Sequence, residues 1–303
     1  MSSVARWFTQ LNSTTRTRVL MAGAVVGALL ALALSVLVTS SASDDAAQAA
    51  RNGVRMKASY DAPAGSCLIW DKGTGENMRR IACEQEHLFE VTEILDISKD
   101  FPPDAAAPGA EYWRKIATDR CTEGAADYLG EPLDPHGKLQ VSALKPSDAD
   151  WAAGNRELRC GLWWAAPGGE LQETSGPAAL ADQSLIWPAG TCLALAGKTV
   201  GDPIGCAQPH AYEMIAVVDL SDEFGKKYPS QKRQHAWLDE RCSDLADKYT
   251  GKLDLAKKKL ILTWDTRTKE SWQAGSFKVN CKVGAKLPDG SGLAPVTGSI
   301  EKS

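Results

Sequence analysis

The most conspicuous candidate for chemistry in this chain is a motif that occurs twice. It reads Ile-x-Cys-x-Gln-x-His-x-x-Glu over residues 81–90 and again over 204–213, so the second copy lies 123 residues after the first. Its candidate functional side chains are His87, Glu90, His210 and Glu213. A histidine and a carboxylate can orient each other for acid–base work, and both can bind a metal ion. The same residues can also have a structural role, with the histidine capping a turn, or form a surface that binds a partner.

The spacing within the motif favours the structural role over catalysis. Residues 88–97, which follow the first histidine, are β-branched and partly alternating, which predicts a strand. In a strand, residues three apart point to opposite faces, and only a helix would bring them together. The chain also contains no nucleophile elbow, no phosphate-binding loop and no dinucleotide fingerprint. The sequence therefore predicts no catalytic residue, no metal site and no cofactor.

Eight cysteines frame the two motifs in two sets of four. The gaps between successive cysteines are 16, 38 and 39 residues in the first set and 14, 36 and 39 in the second. Other landmarks recur 121 residues apart, namely Tyr128 with Tyr249, Gly130 with Gly251, Trp151 with Trp272, and Gly154 with Gly275. This agreement indicates an internal duplication, so the chain contains two copies of one domain.

An even number of regularly spaced cysteines predicts disulfides in an oxidising compartment. Zinc sites usually contain close Cys-x(2–4)-Cys pairs, which this chain lacks, and buried free thiols are the remaining alternative. Polar turn residues between short apolar runs predict a hairpin that brings the first two cysteines of each repeat together. Of the three pairings open to each repeat, we expect Cys67–Cys83, Cys121–Cys160, Cys192–Cys206 and Cys242–Cys281.

The sequence of each repeat predicts three strands, followed by a helix and then by two further strands. The helices are expected over 111–129 and 231–249, and each is followed by a glycine that can end it, Gly130 and Gly251. The expected fold class is α+β, a mostly antiparallel sheet with a helix that the third cysteine pins to it. Trp151 and Trp272 are expected to pack beneath the loop before the fourth cysteine. The pair Trp163-Trp164 has no counterpart in the second repeat, and it could pack the domains together or contact a ligand such as a glycan.

The regions outside the repeats divide the rest of the chain. Residues 19–38 carry no charge, and this stretch is long enough to cross a bilayer. The arginines near the N-terminus precede this stretch. We expect a cytoplasmic segment over 1–18, a single transmembrane helix over 19–40 and a flexible tether over 41–64, with a cleaved signal peptide as the alternative. The first repeat is expected over 65–164 and the second over 186–283. Residues 165–185 predict a linker, and residues 284–303 predict a disordered tail.

These landmarks resemble the septum formation family of actinobacterial membrane proteins. In that family Gly-x-Cys is followed by Cys-x-x-Pro-His-x-x-Glu, a helix with a cysteine, and a Trp-x-x-Gly segment that ends in cysteine. The starts match at 65–67 and 190–192, and the centre matches in full at 206–213. The first copy, at 83–90, departs from the pattern because Glu86 replaces the proline. The ends match at Trp151, Gly154 and Cys160, and at Trp272, Gly275 and Cys281.

The resemblance covers residues 65–283 and implies a membrane-anchored, extracytoplasmic protein linked by name to septation. It implies no reaction and no catalytic residues. We therefore expect a single-pass binding or adaptor protein of the cell envelope, with a protein or cell-wall partner. A wall-acting enzyme that uses His210 and Glu213, or an extracytoplasmic ligand-sensing module, is the alternative. The net charge of −4 and the absence of a basic patch argue against a nucleic-acid partner.

Overall fold

The structure is a computed structural model that describes residues 62–302. The predicted cytoplasmic segment, the transmembrane helix over 19–40 and all but the last residues of the predicted tether lie outside this range. Within 62–302, no helix combines the length and the apolar character needed to cross a bilayer.

In the first repeat, strands precede and follow one long helix along the chain, as the sequence predicts. Its strands are β1 (Cys67–Ile69), β2 (Arg79–Ile81), β3 (Phe89–Asp96), β4 (Leu139–Leu144), β5 (Glu157–Ala165) and β6 (Leu171–Gln172). Its α-helices are α1 (Ala110–Leu129) and the short α2 (Asp148–Ala152), and a 3-10 turn follows at Ala178–Leu180.

The second repeat has the same order of strands and long helix, with an additional short helix after its third strand. Its strands are β7 (Cys192–Ala196), β8 (Thr199–Ile204), β9 (His210–Asp219), β10 (Ile261–Trp264), β11 (Lys278–Lys286) and β12 (Leu293–Ala294). Its α-helices are α3 (Ser221–Phe224), α4 (Gln231–Thr250) and α5 (Lys269–Gln273).

The two sheets have one topology. In the first sheet the strands lie in the order β2-β1-β3-β5-β4, and β6 pairs with β5. In the second sheet the order is β8-β7-β9-β11-β10, and β12 pairs with β11. All of these strand pairs are antiparallel. The fold is therefore α+β, and the internal duplication extends from the sequence to the strand order.

The long helices are held where the cysteine spacing predicts. Both end in a left-handed glycine, Gly130 with a φ of 71° and Gly251 with a φ of 68°, a conformation that a residue with a Cβ adopts only with strain. One disulfide in each repeat joins the helix to the central strand that follows the short helix. All four predicted disulfides are present: Cys67–Cys83, Cys121–Cys160, Cys192–Cys206 and Cys242–Cys281.

The recurring tryptophans are core residues, as predicted. Trp151 and Trp272 are buried, and each lies in a five-residue helix, α2 or α5, that the sequence did not predict. The helices begin after Ser147 and Thr268, whose side chains accept a hydrogen bond from a backbone N–H in the first turn. Five residues are too few for a helical period to be recognised in a sequence, and only the caps could have indicated these helices.

The expected linker over 165–185 and the expected disordered tail over 284–303 each contain a strand in the structure. Residues 165–180 are not a free linker, because β5 turns through a hairpin into β6 and the chain continues across the first sheet. Residues 284–302 are not a disordered tail, because β11 extends to Lys286 and pairs with β12 in the same way. The Gly, Pro and Ser residues that suggested disorder form the turns of these hairpins instead.

The two repeats contact each other within the described range. The rings of Trp164 and Trp187 lie 4.7 Å apart between centroids. Ser271 Oγ of the second repeat donates a hydrogen bond to Asp134 Oδ1 of the first at 2.8 Å, and both residues are buried. Of the two roles considered for Trp163-Trp164, domain packing therefore applies to Trp164, whereas Trp163 packs against the apolar cluster of its own repeat.

Candidate functional site

The His-x-x-Glu pairs lie at the start of the third strand of each sheet. His87 lies two residues before the start of β3 and Glu90 is the second residue of that strand, whereas His210 and Glu213 both lie in β9. In the first repeat His87 Nε2 lies 3.7 Å from Glu90 Oε2. In the second repeat, ligand atoms of His210, Glu213 and Cys192 all lie within 4.8 Å of one another. The expectation that the two side chains would point to opposite faces is therefore wrong.

A β-bulge brings residues three apart onto the same face. In the second repeat Leu193 pairs with Tyr212 and Ala194 pairs with His210, so Ala211 is an extra residue on β9. One extra residue on one strand shifts the alternation of side chains by one position. His210 and Glu213 then share a face although they are three residues apart. A bulge depends on the neighbouring strand, which explains why the motif alone did not indicate it.

The glutamate of each repeat accepts hydrogen bonds from the helix and from the chain after the hairpin. Glu213 Oε1 accepts from Tyr249 Oη of α4 at 2.7 Å and from Ser299 Oγ at 2.7 Å. Glu213 Oε2 accepts from the backbone N–H of Ile300 at 2.9 Å. The counterpart Glu90 accepts from the Tyr128 hydroxyl of α1. Each carboxylate therefore ties a helix, a strand and a C-terminal segment together.

The C-terminal segments cover both motifs, and we call them the first strap (residues 173–180) and the second strap (residues 295–302). In the second strap, the N–H of Val296 donates to the carbonyl of His210 at 2.9 Å, and the N–H of His210 donates to the carbonyl of Val296 at 2.8 Å. Gly298 donates its N–H to the carbonyl of Cys206 at 2.8 Å. The second strap is therefore fixed to both ends of its motif by backbone bonds.

The first strap makes the same contacts one repeat earlier. Thr174 and His87 exchange backbone bonds of 2.9 and 2.8 Å, and the N–H of Gly176 donates to the carbonyl of Cys83 at 2.7 Å. The N–H of Ala178 donates to Glu90 Oε2 at 2.7 Å, as Ile300 does to its glutamate.

Sequence reasoning missed the straps, although a weak signal for them exists. Leu171, Ser175 and Gly176 are repeated 122 residues later as Leu293, Thr297 and Gly298, so Leu-x-x-x-Ser/Thr-Gly occurs after each fourth cysteine. Both glycines have positive φ, 83° at Gly176 and 88° at Gly298. The repeated unit therefore extends beyond the last cysteine to the end of each strap.

The histidine of each repeat has one fixed nitrogen. His87 Nδ1 lies 2.9 Å from the carbonyl of Gln85, and His210 Nδ1 lies 2.9 Å from the carbonyl of Gln208, so Nδ1 carries the proton that each carbonyl accepts. The other nitrogen differs between repeats. His87 Nε2 lies 3.3 Å from the hydroxyl of Thr174, whereas His210 Nε2 has no hydrogen-bond partner among the described residues.

The pair in the first repeat favours its charged forms. Burial alone would lower the pKa of His87, but hydrogen bonds to Glu90 and to the Gln85 carbonyl raise the pKa above its usual 6.5. Burial alone would raise the pKa of Glu90. Hydrogen bonds from His87, from Tyr128 and from the Ala178 N–H lower this pKa below its usual 4.5. The protonated histidine and the ionised glutamate therefore stabilise each other inside the protein.

The histidine and the glutamate of each motif are closed to solvent. His87 and Glu90 are 2% and 1% exposed, and His210 and Glu213 are 0% and 1% exposed. A substrate would have to displace a strap before it reached either pair. The geometry therefore suits a structural latch, in which a buried carboxylate holds the strap on the sheet.

Three groups of side chains in the described range have metal-ligand geometry, and two of them include motif residues. The groups are Cys67, Cys83 and Glu90; Glu93, Cys121 and Cys160; and Cys192, His210 and Glu213. Every cysteine in these groups belongs to a disulfide. A disulfide sulfur is not a thiolate, and the thiolate is the form that ligates metals. The donor sets therefore do not suit a metal ion while the disulfides are intact.

The chain is similar to a known protein family and to two curated proteins. A model of the septum formation family matches residues 64–281. The chain is 36% identical over 247 residues to an uncharacterized membrane protein of Mycobacterium tuberculosis strain H37Rv, and equally to one of strain CDC 1551. The alignment covers 78% of this chain and 55% of each relative, so the chain spans about half the length of these curated proteins. No solved structure matches the chain.

Proposed function

Because the chain belongs to the septum formation family, we propose that it is a membrane-anchored binding or adaptor protein of the cell envelope, with a role in septum formation. The mycobacterial relatives are named as membrane proteins, which supports association with the membrane. The uncharged stretch over 19–38 supplies a single anchor, with the N-terminus in the cytoplasm and both repeats outside.

The disulfides support the extracytoplasmic location. All eight cysteines are paired, and the structure has no free cysteine in the described range. Disulfides persist in oxidising compartments and are rare where glutathione or thioredoxin keeps thiols reduced.

The burial of both His-x-x-Glu pairs favours a binding function over a catalytic one. A general acid or base must lie within hydrogen-bond reach of its substrate, and the straps exclude a substrate from both His-x-x-Glu pairs. The His and Glu side chains form hydrogen bonds with backbone groups, with a helix tyrosine and with strap hydroxyls, which is what a latch requires. Function then belongs to the outer surface that the two latched domains present.

Cross-linking in an actinobacterial host tests this proposal. The full chain with a C-terminal affinity tag would be cross-linked in living cells and purified from membranes. The control is residues 1–61 fused to an unrelated secreted domain, which keeps the anchor and removes the repeats. We expect one set of envelope proteins to be recovered with the full chain and not with the control. Equal recovery from both, or no enriched protein, would contradict a binding role for the repeats.

The orientation has a separate test. A membrane-impermeant amine reagent applied to intact cells should label lysines within 62–302. Labelling of these lysines only after lysis would place the repeats in the cytoplasm and contradict the extracytoplasmic assignment.

A further inference from the structure

Each repeat has a cleft at the same place, between its strap, the end of its fifth strand (β5 or β11) and the chain that enters its fourth strand (β4 or β10). The first cleft is lined by Lys138, Leu139, Trp164 and the first strap, and its volume is about 250 Å³. The second cleft is lined by Lys259, Leu260, Ala285 and the second strap, and its volume is about 750 Å³. The two clefts are equivalent in the fold and differ threefold in size.

The register of the sheets identifies one residue that differs between the two clefts. Trp164 of β5 pairs with Gln172 of β6, and Ala285 of β11 pairs with Ala294 of β12. Trp164 and Ala285 therefore occupy equivalent positions, with an indole in one repeat and a methyl group in the other. The Trp164 ring lines the first cleft and also packs against Trp187 of the second repeat, whereas the methyl group of Ala285 leaves the corresponding space in the second cleft open.

The lysines at the two clefts are equivalent as well. Lys138 and Lys259 each stand directly before the leucine that leads into the fourth strand, Leu139 or Leu260. In the first repeat Lys138 Nζ lies over the Trp164 ring, 5.8 Å from its centroid, which is within the range of a cation–π interaction. The first cleft therefore shows, within the same chain, that an aromatic ring fits beside this lysine. A ring of the same kind can enter the second cleft beside Lys259.

The charge of the second cleft adds a second requirement. Its lining includes four exposed lysines and one glutamate, namely Lys258, Lys259, Lys286, Lys302 and Glu301. None of these lysines forms an ion pair with a residue in the part of the chain that the structure describes. The whole chain has a net charge of −4, so this concentration of positive charge runs against the general balance of the protein.

The walls between these charges are apolar. Leu253, Leu260, Val296 and Ile300 are partly buried and line the same cleft. An apolar floor with a basic rim complements a ligand that has an apolar ring and negative charge on either side of it.

We propose that the second cleft binds an extended segment of a partner protein in which an aromatic residue lies between acidic residues. The aromatic side chain occupies the space that Trp164 fills in the first repeat, and the acidic residues face the lysines of the rim. This inference rests on the binding role proposed above and names the surface and the class of partner.

A designed peptide tests the proposal on the full chain in detergent micelles. The probe is fluorescein-labelled Gly-Asp-Glu-Trp-Glu-Asp-Gly, and its affinity is measured by fluorescence polarisation up to about 1 mM. Two control peptides replace either the tryptophan by alanine or the four acidic residues by their amides. Loss of an aromatic anchor costs an interface about 30-fold or more in affinity, and we expect that loss with the alanine peptide.

Variants of the protein locate the binding. Ala285→Trp gives the second cleft the side chain that the first repeat has, and we expect it to weaken binding about 30-fold. Lys259→Glu combined with Lys286→Glu should weaken binding about tenfold or more through like-charge repulsion. Lys227→Glu, an exposed charge reversal outside the cleft lining, is the matched control and should leave the affinity unchanged. If Ala285→Trp did not fold, the double lysine variant and the alanine peptide would still decide the question.

Three results would overturn the inference: no binding of the tryptophan peptide, equal binding of the alanine peptide, or full affinity of a folded Ala285→Trp protein. Equal binding of the alanine peptide would mean that the lysines attract any polyanion. Cross-linking with Ala285→Trp separates this inference from the wider proposal. Partners retained by that variant would refute the cleft and leave the adaptor role intact, whereas failure to recover partners with the unmodified chain would refute the adaptor role itself.

Discussion

Replacing Glu213 by alanine tests the latch most directly. The carboxylate is 1% exposed and accepts three hydrogen bonds, from Tyr249 Oη, Ser299 Oγ and the N–H of Ile300. A hydrogen bond to a charged group contributes about 1.5–3 kcal/mol, and a buried donor that loses its acceptor costs about 1–3 kcal/mol. Ser299 is exposed and can turn to water, so the three bonds will not add in full. The loss of these three bonds should lower the free energy of unfolding by about 3–5 kcal/mol.

The loss should be concentrated at the second strap. Hydrogen exchange followed by mass spectrometry would measure protection over residues 296–302, which the backbone bonds of Val296 and Gly298 would hold only weakly once Glu213 is gone. Tyr249→Phe removes one of the three donors, so it should cost about 1.5–3 kcal/mol and increase exchange at the strap less.

Glu223→Ala is the matched control, because Glu223 is an exposed glutamate of α3. It should change stability by about 0.5 kcal/mol or less and leave exchange at the strap unchanged. If Glu213→Ala cost less than about 1 kcal/mol, or if residues 296–302 kept their protection, the carboxylate would not be the group that holds the strap.

Three further predictions concern other parts of the molecule. The pKa of His87 is raised, so His87 stabilises the fold below pH 6.5 and loses that effect as the pH rises through its folded pKa. The pKa of Glu90 is lowered, so Glu90 stabilises the fold above pH 4.5. The stability difference between wild type and His87→Gln, measured by urea unfolding, should therefore be largest between pH 4.5 and 6.5 and shrink at higher pH; a difference that grew with pH would contradict the ion pair. Gly298→Ala should cost about 1–2 kcal/mol in a thermal unfolding assay because the φ of Gly298 is 88°. Gly205→Ala, at a glycine without positive φ, should cost less, and an equal cost would argue against strain. Serine at both Cys121 and Cys160 should cost about 4 kcal/mol in denaturant unfolding, since the loop they close has a separation of 39 residues, and a loss below about 1 kcal/mol would contradict this estimate.

Much of the fold follows from local sequence patterns whose structural meaning does not depend on the rest of the chain. The hairpin pattern between the first two cysteines of each repeat predicted the four disulfides, which the structure contains, whereas the cysteine spacing alone left three pairings open in each repeat. The long helices were expected over 111–129 and 231–249, and the structure has them over 110–129 and 231–250. Their glycine ends were recognisable because a left-handed residue that closes a helix is a local requirement.

The straps and the motif geometry could not be predicted in this way. The composition of residues 165–180 and 284–302 is that of a loop, and a loop composition does not reveal which surface the loop covers. The convergence of His210 and Glu213 depends on the extra residue Ala211, and a bulge is a relation between two strands that lie far apart in the chain.

The amino-acid sequence by itself determined the duplication, the disulfide pairs, the helices and the α+β class, because spacing and periodicity are properties of a segment and its immediate neighbours. Only the tertiary structure decided that both His-x-x-Glu pairs are buried, since burial depends on the straps that fold back over them. It also decided that one of two equivalent clefts is smaller than the other. Trp164 and Ala285 contribute to that difference; the 121-residue offset already relates their positions, and the register of the two sheets shows that both line the cleft at the same place.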